Sequence, residues 1–188
     1  VDPVKLAQKL AREEAEQGLA QPTPADTDRR NGQYPPQRIP KTEGDEFDAE
    51  NFVRRLMHDI WNRRLINTVT HYFAEAVAFE SASGRKGHGH ADYQAYVIAL
   101  LSSFPDLSLT VEHFCMLQDP QTDVPSYRTA TRWRMSGTHT GYGVHGEPTG
   151  KPINILGVSH HLIQNGRVLR EWTLFDEFAL LKQIHSPA

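Results

Sequence analysis

Two adjacent histidines, His160 and His161, and one aspartate, Asp176, are residues of this 188-residue chain whose types and spacing suit acid–base chemistry. They lie in the stretch GVSHHLIQNGRVLREWTLFDEF, residues 157–178. Within it, Asn165-Gly166 signals a type I′ turn, because both central residues of that turn need positive φ. A two-residue loop sets Gln164 opposite Arg167, Ile163 opposite Val168, His161 opposite Arg170 and Ser159 opposite Trp172. Strand alternation then gathers Val168, Trp172, Leu174 and Asp176 on one face with Ile163 and His161, and that face reads as buried. A carboxylate there is paired, exposed at an opening, or kept for chemistry. With an imidazole beside it, that chemistry is general acid–base. Asp176 also suits the N-cap of a following turn, EFALLKQI. His160 and His161 point to opposite faces, and a β-bulge in the hairpin exchanges which of them faces inward.

Other chemistry-bearing stretches read more plainly. HGHAD offers His88, His90 and Asp92, three ligands without a fourth, so no metal is expected. GEPTGKP has only three residues between Gly146 and Gly150, and proline follows Lys151, so it is no phosphate loop. Cys115 reads as a buried structural thiol, and His113 falls on the apolar side of an earlier strand. His139, inside GTHTG, is placed either at a pocket mouth or in a glycine-relieved bend. Trp61, Trp133, Trp172, Phe79, Phe104 and Tyr142 form either pocket cladding or ordinary core.

The elements that must position these residues follow from period and punctuation. Residues 1–47 read as a short helix (2–17) and an extended arm rich in Pro, Gly and charge, and residues 48–188 as one compact domain. Phe52, Val53, Leu56, Ile60 and Trp61 recur at helical spacing, predicting a helix over 49–65, and ADYQAYVIALLSSF predicts another, stopped by Pro105. Alternation then predicts strands over 107–117, 129–135, 152–164 and 167–176, followed by a last helical turn. Helices first and long antiparallel strands after give an α+β fold, the helices lying on one face of a curved sheet.

Composition narrows the function classes. A net charge of −3 and a pI near 6.4 supply no basic stripe for nucleic acid. There is no apolar run of bilayer length and no signal-peptide pattern, so a soluble protein with no membrane partner is expected. A single cysteine excludes an internal disulfide and fits a reducing compartment, with cytoplasm as the default.

SFPDLSLTVE (103–112), GTHTG (137–141), PTGKPI (148–153), NGRVLREW (165–172) and Asp176 followed by LLKQI together resemble the SnoaL-like polyketide cyclases and the related ester cyclases. The resemblance covers about residues 48 to 185. It implies a nuclear transport factor 2-like, cystatin-like cone, in which a curved antiparallel or mixed sheet wraps N-terminal helices around an apolar pocket. It implies an aspartate general base near the end of the last strand, which maps onto Asp176, and a histidine on the adjacent strand, which maps onto His161 or His160. The reaction implied is a cofactor-independent lyase or isomerase step, the intramolecular aldol cyclisation of a polyketide-like compound. The ligand is then a small apolar or aromatic metabolite, contacted by Trp61, Trp133, His139, Tyr142, Trp172, Leu174 and His113. A homodimer through the sheet face is also implied. The alternative is a non-catalytic binding protein of the same fold.

Overall fold

The computed structural model describes residues 47–118 and 123–186, so the helix and arm expected before Phe47 lie outside the described residues. Asp48 opens the first helix, α1 (Ala49–Met57), accepting a hydrogen bond from the Asn51 amide at 2.9 Å. Its buried stripe of Val53, Leu56 and Met57 continues through Ile60 and Trp61 in a π-helical turn, His58–Asn62. Arg64, at φ 58°, stops the segment just short of the expected end. Asn62 then clamps the helical layer to the sheet: its side chain donates to the Leu109 carbonyl at 2.9 Å and accepts from the Leu109 amide at 2.7 Å.

A short α2 (Val69–Tyr72) leads into β1 (Phe73–Ser81), a 3-10 turn (Ala82–Gly84), β2 (Arg85–His88) and α3 (Gly89–Ser103). Four long strands follow, β3 (Ser108–Gln118), β4 (Ser126–Thr138), β5 (Pro152–Gln164) and β6 (Arg167–Phe175), before α4 (Glu177–His185). They make one curved, mixed six-stranded sheet in the order β2-β1-β6-β5-β4-β3, which does not close; β1 and β6 run parallel and the other neighbours antiparallel. β1 is a strand the sequence reading omits, although Phe73, Val77 and Phe79 mark its buried side. The core lies between the inner sheet face and α1 and α3, where Val53, Ile60, Val97 and Phe104 are fully buried. Each such side chain stabilises the fold by roughly 1.5–3 kcal/mol.

Two bulges decide which residues face that core. In β3 one extra residue, Glu112, sits between the pairs Val111–Trp133 and His113–Arg132. Leu107, Leu109 and Val111 are therefore buried as expected, whereas His113, Cys115 and Leu117 come out exposed. In β6 the expected pair Ile163–Val168 forms, but Leu169 is then extra and the next pairs are Leu162–Arg170, His161–Glu171 and His160–Trp172. The expected inner face is thus corrected beyond Val168: Glu171 and Thr173 turn inward, while Trp172 and Leu174 turn out, Leu174 to 69% exposure.

No described helix is long and apolar enough to cross a membrane.

Candidate active site

β4, β5 and β6 bring a buried polar cluster onto the inner sheet face. Trp133 donates its indole N–H to Ser159 Oγ at 2.9 Å, Ser159 and Thr173 share a hydrogen bond at 2.7 Å, and Thr173 Oγ1 donates to Glu171 Oε1 at 2.7 Å. An indole N–H only donates, and Thr173 has one proton, already committed to the carboxylate, so Ser159 must donate to Thr173. The relay therefore runs one way, from Trp133 to Glu171. Tyr93, from α3, donates to the other carboxylate oxygen at 2.9 Å.

These donors explain the charge state. Burial opposes ionisation of Glu171 most strongly, yet His161, Thr173 and Tyr93 together hold its carboxyl below the usual glutamate value. Burial and the neighbouring carboxylate push the Tyr93 phenol well above its ordinary range, so it remains a donor.

His161 completes the cluster. Its Nε2 lies 3.4 Å from Glu171 Oε2, close enough for ion pairing but without hydrogen-bond geometry, and has no hydrogen-bond partner among the described residues. Its Nδ1 lies 3.2 Å from Thr129 Oγ1. In the tautomer in which Nδ1–H donates to Thr129, Nε2 carries a free lone pair facing the carboxylate side of the cluster. That is the arrangement of a general base with a fixed counter-charge.

Glu171, His161, Ser159 and Thr173 line a small inner cavity with Trp61, Tyr93, Tyr96, Leu100, Trp133 and Phe175. It measures about 20 Å³, room for one water molecule. The Trp133 indole packs over Gly157, its partner on β5, where a Cβ would approach the ring to 2.2 Å. A larger cleft of about 490 Å³ adjoins, and Tyr96, Leu100 and Phe175 line both spaces.

Of the residues singled out in the sequence, the fold brings together His161, Trp61 and Trp133. His160 is exposed on the outer face opposite Trp172, which itself packs against the Arg170 guanidinium 5.4 Å from its ring. Asp176 is exposed and caps α4, its Oδ1 accepting from the Ala179 amide at 2.8 Å; it does not line the cavity. Leu174, Tyr142 and His113 are exposed as well. His139 is fully buried, but beside Phe104 and Thr149 rather than in the cavity wall. In HGHAD, His90 Nε2 bonds the Phe73 carbonyl and Asp92 accepts from the His88 amide.

Sequence reasoning passes over Glu171, Thr173, Ser159, Tyr93 and Tyr96. The two tyrosines at i, i+3 on one helix face are a readable signal. Glu171 carries none without the bulge.

A mixed, open six-stranded sheet folded over N-terminal helices, with a polar cluster on its inner face, defines the class of nuclear transport factor 2-like pocket proteins. The family model of the SnoaL-like polyketide cyclases matches residues 51–184, and the chain belongs to that family. A protein from Jannaschia sp. CCS1 assigned as a SnoaL-like polyketide cyclase aligns with a TM-score of 0.64 at 17% identity, over 77% of this chain and 100% of that one. IdmH of Streptomyces antibioticus, assigned as a polyketide cyclase, aligns at 0.61 and 19% identity over 73% of this chain and 98% of its own. TsrD of Streptomyces laurentii aligns at 0.61 and 19% identity over 76% and 100%. At these identities the likeness is one of fold. No curated protein matches the sequence.

Proposed function

We propose that the protein closes a ring in a polyketide-like carbonyl compound by cofactor-independent intramolecular aldol chemistry, with His161 as general base and Glu171 as its counter-charge. The observation that carries this reading is the buried His161 Nε2, without a hydrogen-bond partner among the described residues, beside the Glu171 carboxylate that Thr173 and Tyr93 hydrogen-bond. Neutral His161 takes a proton from a carbon between two carbonyls, and the C–H electron pair moves into one carbonyl as an enolate. The enolate carbon attacks a second carbonyl carbon of the same molecule, forming the ring bond. The alkoxide formed there recovers the proton from the His161 imidazolium. Atoms and charge balance without a co-reactant. In this reading Asp176 acts as the cap of α4 and not as the base, because it is exposed and engaged with the Ala179 amide.

The test is incorporation of solvent deuterium into the acidic methylene of a β-keto ester. His161→Asn is expected to slow exchange by about 10²–10⁴-fold, the usual contribution of one positioned base, and Asp176→Asn to leave it unchanged, with circular dichroism confirming that both fold. The reverse pattern would return the base to Asp176. Binding of the ester without any exchange by the native protein would make it a carrier of apolar metabolites instead.

A further inference from the structure

The inner cavity measures about 20 Å³. The adjoining cleft, at about 490 Å³, has the size of a small-molecule site. The wall between them is Tyr96, Leu100 and Phe175, so anything that reaches His161 from the cleft must pass these three side chains. Leu100 is a fixed core residue of α3, 6% exposed. Tyr96 is held differently. Its hydroxyl bonds Ser81 Oγ at 2.9 Å, and its ring stands between those of Phe79 and Trp61, at 5.6 and 6.1 Å.

Ser81 is the last residue of β1, immediately before the turn Ala82–Gly84, where Ser83 takes a left-handed φ of 60°. Glu177, at the start of α4, grips that turn by accepting from Ser83 Oγ and from Arg85, the latter at 2.5 Å. The latch on Tyr96 and the clasp at the cleft rim therefore hang on the same five residues of chain, 81–85.

Ala95 and Ala99, one helical turn apart, line the cleft together with the rings of Phe79, Tyr96 and Phe175. Gly87 lets the Phe79 ring lie where it does, since a Cβ there would meet it at 2.3 Å. Arg85, Lys86, Asp92 and Glu177 put both signs of charge at the lining, which favours neutral donors and acceptors over a net charge.

We propose that Tyr96, latched to Ser81, is the gate that decides which compounds pass from this cleft to His161. The proposal takes the reacting end from the function proposed above. The gate is tested without turnover.

The chain has three tryptophans. With Trp172→Phe as background, the remaining two, Trp61 and Trp133, both line the inner cavity, and acrylamide quenching of their fluorescence reads access to it. Tyr96→Ala is expected to raise the quenching constant several-fold. Tyr96→Phe and Ser81→Ala, which each remove the latch and little else, should raise it less and by equal amounts. Quenching unchanged in all three overturns the gate. If the variants show these quenching changes but the native protein exchanges no deuterium, the aldol reading alone is refuted.

Discussion

Trp133 and Glu171 sit at opposite ends of one directional relay, Trp133 as its first donor and Glu171 as its last acceptor, with Ser159 and Thr173 between them. Thr173→Val keeps the shape and removes the only hydroxyl that joins the halves, leaving Ser159 and Glu171 each short of a partner. The expected cost is about 1–3 kcal/mol for buried groups left unsatisfied, read by urea unfolding. Glu171 adds a pH signature. Its folded carboxyl lies below the ordinary value of 4.5, so its contribution is present above that pH and is lost as pH falls through the folded value. The stability gap between the native protein and Glu171→Gln should therefore narrow below pH 4.5. A gap independent of pH would mean that the carboxyl is not held ionised by its neighbours.

Asp176 separates a structural role from a chemical one, because asparagine caps helices about as well as aspartate. Asp176→Asn should leave thermal stability near native, whereas Asp176→Ala should cost about 1 kcal/mol through loss of the bond to the Ala179 amide. Equal melting temperatures for the native protein and the alanine variant would show that the cap contributes nothing.

The hairpin shows how far the sequence is legible. Asn165-Gly166 fixes the turn, and the pair Ile163–Val168 forms as the turn demands. One residue later the register depends on Leu169, and nothing local distinguishes a strand that bulges there from one that does not. The two alternatives bury Trp172 and Leu174, or Glu171 and Thr173. Apolar patterning favours the first. The second prevails where Glu171 and Thr173 find donors on α3 and β5, which are distant in sequence. His161 is legible because the extra residue lies in β6 and leaves the alternation along β5 unbroken, and Trp61 and Trp133 because large aromatics at the correct helical and strand period have only the core to enter. The Glu112 bulge hides the outward turn of His113 and Cys115 in the same way. Strand β1 escapes notice because its middle, Glu75 and Ala76, is exposed and polar or small.

A second buried group gives an acid-side prediction. His139 and His145 both pack 5.3 Å from the Phe104 ring, with Nδ1 of His145 3.1 Å from Ser103 Oγ. Burial, more than any charge, holds both imidazoles below the ordinary 6.5; His185 adds to this at both, while Glu177 opposes it at His145. Folded values below the unfolded one mean that the unfolded chain takes up protons first. Stability should thus be complete above pH 6.5 and fall as pH drops below it. His58, also lowered chiefly by burial, acts with the same sign. His145→Gln, which can still bond Ser103 but cannot charge, should flatten the stability profile below pH 6.5, and adding His139→Gln should flatten it further. Parallel profiles would show that neither imidazole is kept neutral by the fold.

The outer sheet face carries the proposal of a homodimer. Leu156, Trp172 and Leu174 are 46, 39 and 69% exposed on the outer faces of the adjacent strands β5 and β6. Arg132 and Arg134 lie beyond them on β4, both paired with Glu112. An apolar row beside already neutralised charges suits a like surface better than water, and a two-fold axis near the row would set each copy's leucine and tryptophan against the other's. Light scattering behind size-exclusion chromatography should give twice the chain mass for the native protein and the single mass for Leu174→Asp. Because Leu174 is already solvent-facing, that substitution should leave the melting temperature of the separated subunits unaffected by core damage. A native protein of single mass at all concentrations, or a Leu174→Asp variant that still pairs, would move the interface elsewhere or remove it.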